Sequence, residues 1–174
     1  MPSRRQEGFT LLEILVVVAL IGIIAAIAVP GLLRARQNAN EGSAIGSMRT
    51  INSAQTTYAA SCGGGGYAAT LAALALAPPA GIAFIDPSLS GGSKSGYTLN
   101  MVAEAGAVTV MAAANTCNAA ATDAVDGYLA TAVPITLGTT GQRSFATDNS
   151  GTIFQDISGA IIANPIPPGT MTLP

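Results

Sequence analysis

From Ile14 to Val29 the chain carries sixteen consecutive residues without a polar side chain, and reaching back to Phe9 extends the run to 21, interrupted only by Thr10 and Glu13. A helix of that length spans ~31 Å, about the thickness of a bilayer's hydrocarbon layer. The pattern changes beyond Pro30-Gly31. Ala44, Met48, Ile51 and Tyr58 recur at helical steps, Gln55 fills the gap between the last two, and Arg49, Asn52, Ser53 and Thr56 lie between them. Such spacing gives an amphipathic helix with one adhesive face. Ser61-Cys62 and the four glycines Gly63 to Gly66 are a strong stop. The pattern predicts one helix of about fifty residues, ~75 Å long, apolar all round in its first half and one-sided in its second.

After residue 61 the period shortens. Residues 62–96 are rich in glycine and alanine and contain Pro78-Pro79, which predicts a long irregular connection with a short helix over Ala68 to Ala77. Tyr97 to Val102 and Val108 to Val110 alternate as strands do, with Glu104-Ala105-Gly106 joining them. A third strand is expected from Gly127 to Val133, halted by Pro134. Arg143 to Thr147 and Thr152 to Gln155 flank Asp148-Asn149-Ser150-Gly151, a hairpin connection with suitable turn chemistry. The last eleven residues, Asn164 to Pro174, hold four prolines and predict an extended tail. The fold class is α+β: a long N-terminal helix whose amphipathic half packs on a four- to five-stranded antiparallel sheet, since neither face is stable alone.

Composition narrows the chemistry. The chain has 174 residues, only 9% of them charged against a usual ~25%. Seven Lys+Arg against nine Asp+Glu make no basic nucleic-acid binder, and a chain without His builds no His-based triad. The apolar run itself admits three readings: a secretory signal cut after Ala28, a permanent membrane anchor, or a core helix. Glu13 at the head of the run, and a helical pattern that continues past Ala28, oppose the first. Core helices of small domains are not apolar all round for half of fifty residues, which opposes the third. Arg4 and Arg5 before the span and Arg34 and Arg36 after it nearly balance, so charge alone does not orient it.

Gly8-Phe9-Thr10-Leu11-Leu12-Glu13, behind a short basic leader and ahead of an unbroken apolar run ending in Ala28-Val29-Pro30-Gly31, resembles the class III signal of type IV pilins and type II secretion pseudopilins. The likeness covers roughly residues 1–60; the remainder resembles that family in layout only. It implies that a membrane prepilin peptidase, an aspartic protease, removes a leader of residues 1–8 by cutting between Gly8 and Phe9 on the cytoplasmic side, and N-methylates Phe9. It further implies a transmembrane and polymerisation helix over residues 9–30, an amphipathic continuation over 31–61, and an external head over 62–174, divided into loop 62–96, sheet 97–157 and tail 164–174. Pro30 matches the family's helix-bending proline, and with Gly31 is expected to bend or open the helix, because proline lacks an amide hydrogen and clashes with the carbonyl of Ala26.

Glu13 maps onto the family's carboxylate in the mature helix. The residues give their own reason for it. A carboxylate among lipid tails costs about 2.5 kcal/mol or more, so it marks function or finds a partner. Cleavage creates an amine on Phe9 one turn away, and pairing between neighbouring chains sets axial register as a buried polar residue does in coiled coils. The alternative is a Glu snorkelling from the end of the span.

With residues beyond about 31 outside the cytoplasm, Cys62 and Cys117 are expected to form a disulfide. The six carboxylates of the head are scattered. Asp148 and Asn149 are a weak calcium candidate, disfavoured because a site needs six to eight oxygens; no other metal or cofactor is implied. Gly63 to Gly66 lacks the Lys-Ser/Thr of a phosphate loop and reads as a joint. From residue 61 on, Lys94 and Arg143 face six carboxylates, so the head carries a net −4 and no nucleic-acid surface is expected. The functional expectation is a non-enzymatic type IV pilus subunit. Its partners are itself, the peptidase, the inner-membrane assembly machinery and, before assembly, membrane lipid. It starts in the bacterial inner membrane and ends in an extracellular pilus, or in a periplasmic pseudopilus if it is a pseudopilin. The alternative from a different class is a membrane-tethered adhesive or binding module.

Overall fold

The computed structural model describes residues 8–173, so the leader residues ahead of Gly8, Arg4 and Arg5 among them, lie outside the described residues. Packing divides the chain into a unit ending at Arg36 and a unit beginning at Gln37. One helix, α1 (Leu11–Ser61, 51 residues), contributes to both. It continues through Pro30 without a break.

In the first unit every side chain from Phe9 to Leu33 is exposed. Of the described helices, α1 alone is long and apolar enough to cross a membrane, and none of its most apolar stretch is buried. The segment has no inward face because apolar residues occupy every position of the turn.

In the second unit α1 has one buried stripe: Glu41, Ala44, Ser47, Met48, Ile51, Ala54, Gln55 and Tyr58. After it come β1 (Tyr67–Ala68), α2 (Leu71–Ala75), α3 (Pro87–Ser90), β2 (Ser93–Lys94), β3 (Tyr97–Ala103), β4 (Thr109–Met111), a 3₁₀ turn (Ala113–Asn115), β5 (Ala124–Val125), β6 (Tyr128–Pro134), β7 (Ser144–Asp148), β8 (Ile153–Asp156) and β9 (Met171–Thr172). The main sheet has six antiparallel strands in the order β2-β3-β6-β7-β8-β9, and a smaller sheet runs β1-β5-β4. Tyr97, Leu99 and Met101 of β3 alternate inward and, with Tyr128, Ala130, Ala132 and Phe145, meet Met48, Ile51 and Tyr58 of α1 in one core.

Several details differ from the sequence reading, beginning with the main sheet, which has six strands rather than four to five. The short helix shrinks to Leu71–Ala75, closed at its start by the Thr70 hydroxyl, which accepts from the Ala73 amide at 3.2 Å. β4 does not pair with β3; it turns away after Glu104 and pairs with β5, while β3 pairs with β6 at seven positions from Tyr97↔Pro134 to Ala103↔Tyr128. Pro134 therefore closes β6 from within rather than lying beyond it, at a strand end where its missing amide costs little. The C-terminal tail is not merely extended. Ile162 and Ile166 cover Leu129 and Ala146 in a second small core, and β9 then pairs with β8.

Candidate functional site

The residues singled out at the N-terminus begin with Gly8, where an added Cβ would meet nothing within 4 Å. Among the described residues nothing crowds that position, so no contact there demands glycine. Phe9 is 79% exposed. Gly8, Phe9 and Thr10 are non-helical, and α1 starts at Leu11.

Thr10 and Glu13 close the helix start reciprocally. The Glu13 amide donates to Thr10 Oγ1 at 3.3 Å, and the Thr10 amide donates to Glu13 Oε2 at 3.5 Å. This is a capping box, which satisfies two of the donors that every helix start leaves open. Phe9 and Ile14 take the flanking staple positions and border one shallow apolar hollow with Val18. The Thr-x-x-Glu signature was present in the sequence and escaped the motif reading, which weighed Glu13 alone. Among the described residues Glu13 meets no cation.

The head holds its polar groups for structure. Glu41 is buried. Its Oε1 accepts from the amides of Gln142 (2.9 Å) and Arg143 (3.3 Å), and its Oε2 from Arg143 Nε (2.9 Å) and Nη2 (2.7 Å). Burial alone would push this carboxyl up, but the Gln142 amide and the Arg143 guanidinium outweigh it and hold Glu41 below the usual range. Gln55, with no exposed surface, donates to the Ala68 carbonyl at 2.7 Å and accepts from the Ala68 amide at 2.8 Å. Asn52 Oδ1 accepts from Tyr128 Oη at 2.8 Å and lies 2.8 Å from Thr147 Oγ1, while its Nδ2 donates to the Gly151 carbonyl at 2.9 Å.

Cys62 and Cys117 form a disulfide with Cα atoms 4.7 Å apart, tying the end of α1 to the segment between β4 and β5. Asp148 Oδ1 accepts from the amide (2.9 Å) and hydroxyl (2.5 Å) of Ser150, so it shapes the hairpin turn. Asp86, Asp123, Asp126 and Asp156 likewise accept from nearby backbone amides. Among the described residues no three His, Cys, Asp or Glu stand together as metal ligands. Among the described residues, the largest surface left uncovered by packing is the apolar segment from Phe9 to Leu33.

Residues 3–29 match the model of the prokaryotic N-terminal methylation motif. The chain is 38% identical over 58 residues to the type II secretion system core protein G of Aeromonas hydrophila, covering 33% of this chain and 41% of that protein. It is 37% identical over 54 residues to the type IV major pilin protein PilA of Myxococcus xanthus (31% and 24%). With the type IV wide pilus major component PilA4 of Thermus thermophilus it shares 53% over 38 residues (22% and 29%). The chain thus spans less than half the length of these curated relatives. No solved structure matches it.

Proposed function

We propose that this chain, which belongs by its N-terminal segment to the type IV pilins and type II secretion pseudopilins, is a structural subunit of a type IV pilus. The observation that carries the reading is a helix start of exposed apolar residues on every face, with a single carboxylate, Glu13, at its head. Such a surface is stable in lipid or among copies of itself. Residues 1–8 are the leader, cut between Gly8 and Phe9 by a prepilin peptidase that then methylates the Phe9 amine. Residues 9–30 anchor the precursor in the inner membrane; residues 31–61 continue the helix, and 62–174 form the external head.

Assembly moves the anchor from lipid into a filament core of equally apolar neighbours. Lipid tails and apolar helices solvate one another alike, so packing and polar contacts, not the hydrophobic effect, select the register. Glu13 against the Phe9 amine of another copy is that contact. Gly22, which has open space around its Cα and costs helix stability of about 0.5–1 kcal/mol relative to Ala, suits close helix approach in such a core. Pro30 leaves the Ala26 carbonyl without its helical donor, and Gly31 beside it supplies the freedom for the helix to bend there during assembly. The reading makes the protein a building element rather than an enzyme.

The similarity to the secretion system core proteins favours a second reading, a pseudopilin that assembles in the periplasm. Mass spectrometry of the mature N-terminus and electron microscopy of sheared surface material test both. Methylated Phe9 with long surface fibres supports the pilus; methylated Phe9 without fibres, in a strain that loses protein secretion when the gene is deleted, supports the pseudopilin. An N-terminus at Val29 would refute both, and processed subunits that stay monomeric in membranes would mark a tethered module.

A further inference from the structure

The capping box does more than stabilise a helix end, because of where it lies. Thr10 is two residues past the bond that the proposed cleavage breaks, and the reciprocal Thr10–Glu13 contacts end the helix at Leu11. Gly8 and Phe9 are left non-helical, with their backbone groups outside the helical ladder. Peptide segments gripped through their main chain are held extended, and a helical segment has its amides and carbonyls already occupied.

We infer that Thr10 is a positioning residue for processing: its side chain stops the helix so that the Gly8–Phe9 bond is presented as extended backbone. The inference rests on the proposed cleavage site. In the step itself water adds across the Gly8–Phe9 bond, leaving Gly8 with the carboxylate and Phe9 with the amine; Thr10 touches neither atom. A helix without this stop is free to shift its start. Ser3-Arg4-Arg5-Gln6 repeats the same Ser/Thr-x-x-Glu/Gln pattern upstream, and a helix begun there would run through the scissile bond.

The discriminating property is the hydrogen-bond acceptor at position 10, not its size. Thr10→Val keeps the shape and removes the acceptor; Thr10→Ser and Thr10→Asn keep a capping group of different shape. Full-length precursors are expressed in membranes with the peptidase, and conversion to the mature form is timed by mass spectrometry. Thr10→Val is expected to convert about fivefold more slowly, at unchanged precursor level, the ratio that a typical N-cap loss gives. Thr10→Ser and Thr10→Asn should remain within about twofold of the parent, on the scale of the small differences among capping residues. Conversion of Thr10→Val at the parental rate overturns the inference. So does slow Thr10→Asn alongside slow Thr10→Val, which would mean that the peptidase reads threonine's shape. A parent chain not cut between Gly8 and Phe9 defeats the cleavage reading instead, and the same spectra reveal it.

Discussion

Glu41 and Arg143 stand 102 residues apart in the sequence and 2.7 Å apart in the fold. Glu41 sits at the start of the buried stripe of α1, and its side chain is 6% exposed against 36% for Arg143. Gln155 Oε1 accepts from Arg143 Nη1 at 2.9 Å, which turns the guanidinium so that its other nitrogens fork onto Glu41. The pair therefore fixes where along the helix the start of β7 is attached.

Replacing Glu41 by Ala should destabilise the head by about 2–3 kcal/mol. Breaking a fully buried pair costs ~3–5 kcal/mol, and water at Arg143 reduces that. Glu41→Gln, which still accepts from the Gln142 amide, should lose less. The pH dependence has a definite sign. Glu41 is held below its ordinary value of 4.5, so its contribution is complete above about 4.5 and fades as pH falls through the lower folded value. Thermal melts of the detergent-solubilised chain between pH 3 and 7 should show a slope on the acid side that Glu41→Gln flattens; an unchanged slope would mean that other carboxylates carry it.

Tyr97 answers at the opposite end of the pH scale. Burial, with the Glu41 charge nearby, pushes its hydroxyl up to about 12, and the hydroxyl donates to the Arg143 carbonyl at 2.8 Å. The folded state keeps this proton where the unfolded chain gives it up near 10, so stability falls as pH rises from about 10 to 12. Ultraviolet titration should place Tyr97 among the late-ionising tyrosines, and Tyr97→Phe should remove that component while costing the hydrogen bond, about 1 kcal/mol. Retention of the whole late component in Tyr97→Phe would contradict the assignment.

Gln55 is the case where an amide side chain replaces a strand. Gln55→Leu leaves both backbone groups of Ala68 buried and unpaired, at about 1–3 kcal/mol for each group deprived of its partner, so a loss of about 2–6 kcal/mol is expected in urea unfolding. Gln55→Glu should be no better, since its carboxylate has no proton for the Ala68 carbonyl. A neutral outcome for Gln55→Leu would show that β1 shifts to find other partners.

These residues also mark how far the sequence could be read. Ala44, Met48, Ile51 and Tyr58 gave the inward face of α1 by their spacing alone, and Glu41 and Gln55 fall on the same steps. The spacing already placed Gln55 there, Glu41's charge kept it off the face, and nothing local names partners 102 or 13 residues away. Strand existence was legible from alternation in Tyr97 to Val102 and in the turn at Asp148; strand partners were not. β4 is short and bulged at Thr109/Met111, and only the folded chain shows it joined to the β5 end by Asp126, whose Oδ1 accepts from the Val108 amide at 2.7 Å and whose own amide donates to the Val108 carbonyl at 3.0 Å. The tail escaped because its prolines announce extended backbone equally well for a free end and for a cover over Leu129 and Ala146. At the N-terminus the motif was explicit, and Thr10 was missed only because a capping signature looks ordinary beside a cleavage signal.

The Cys62–Cys117 bond closes a stretch 55 residues long in sequence. In the chain-entropy model that is worth about 4 kcal/mol. Cys62 is buried and Cys117 exposed, so reductant reaches the bond from one side. Reduction, or replacement of both cysteines by Ser, should lower the melting temperature by about 10 °C, given roughly 2–4 °C per kcal/mol for a chain of this size. Free thiols in the protein isolated from cells and alkylated without reductant would show that the bond does not form in the cell.

Glu13→Ala and a bulky residue at Gly8 should fail at different stages. A side chain at Gly8 has free space in this fold, so a block there reports on the peptidase, and Gly8→Phe should leave uncut precursor in the membrane. Glu13→Ala makes the span more apolar, which favours insertion. It removes the carboxylate half of the capping box while the Thr10 hydroxyl still caps the Glu13 position's amide, so cleavage should continue at a reduced or equal rate. Under the proposed assembly, what it takes away is the carboxylate that would meet the Phe9 amine of a neighbouring copy, and an unpaired buried charge costs several kcal/mol for each subunit. Processed Glu13→Ala chains should therefore accumulate in the inner membrane and not assemble alone. Abundant normal filaments built only from Glu13→Ala would refute the register mechanism, even with cleavage after Gly8 intact.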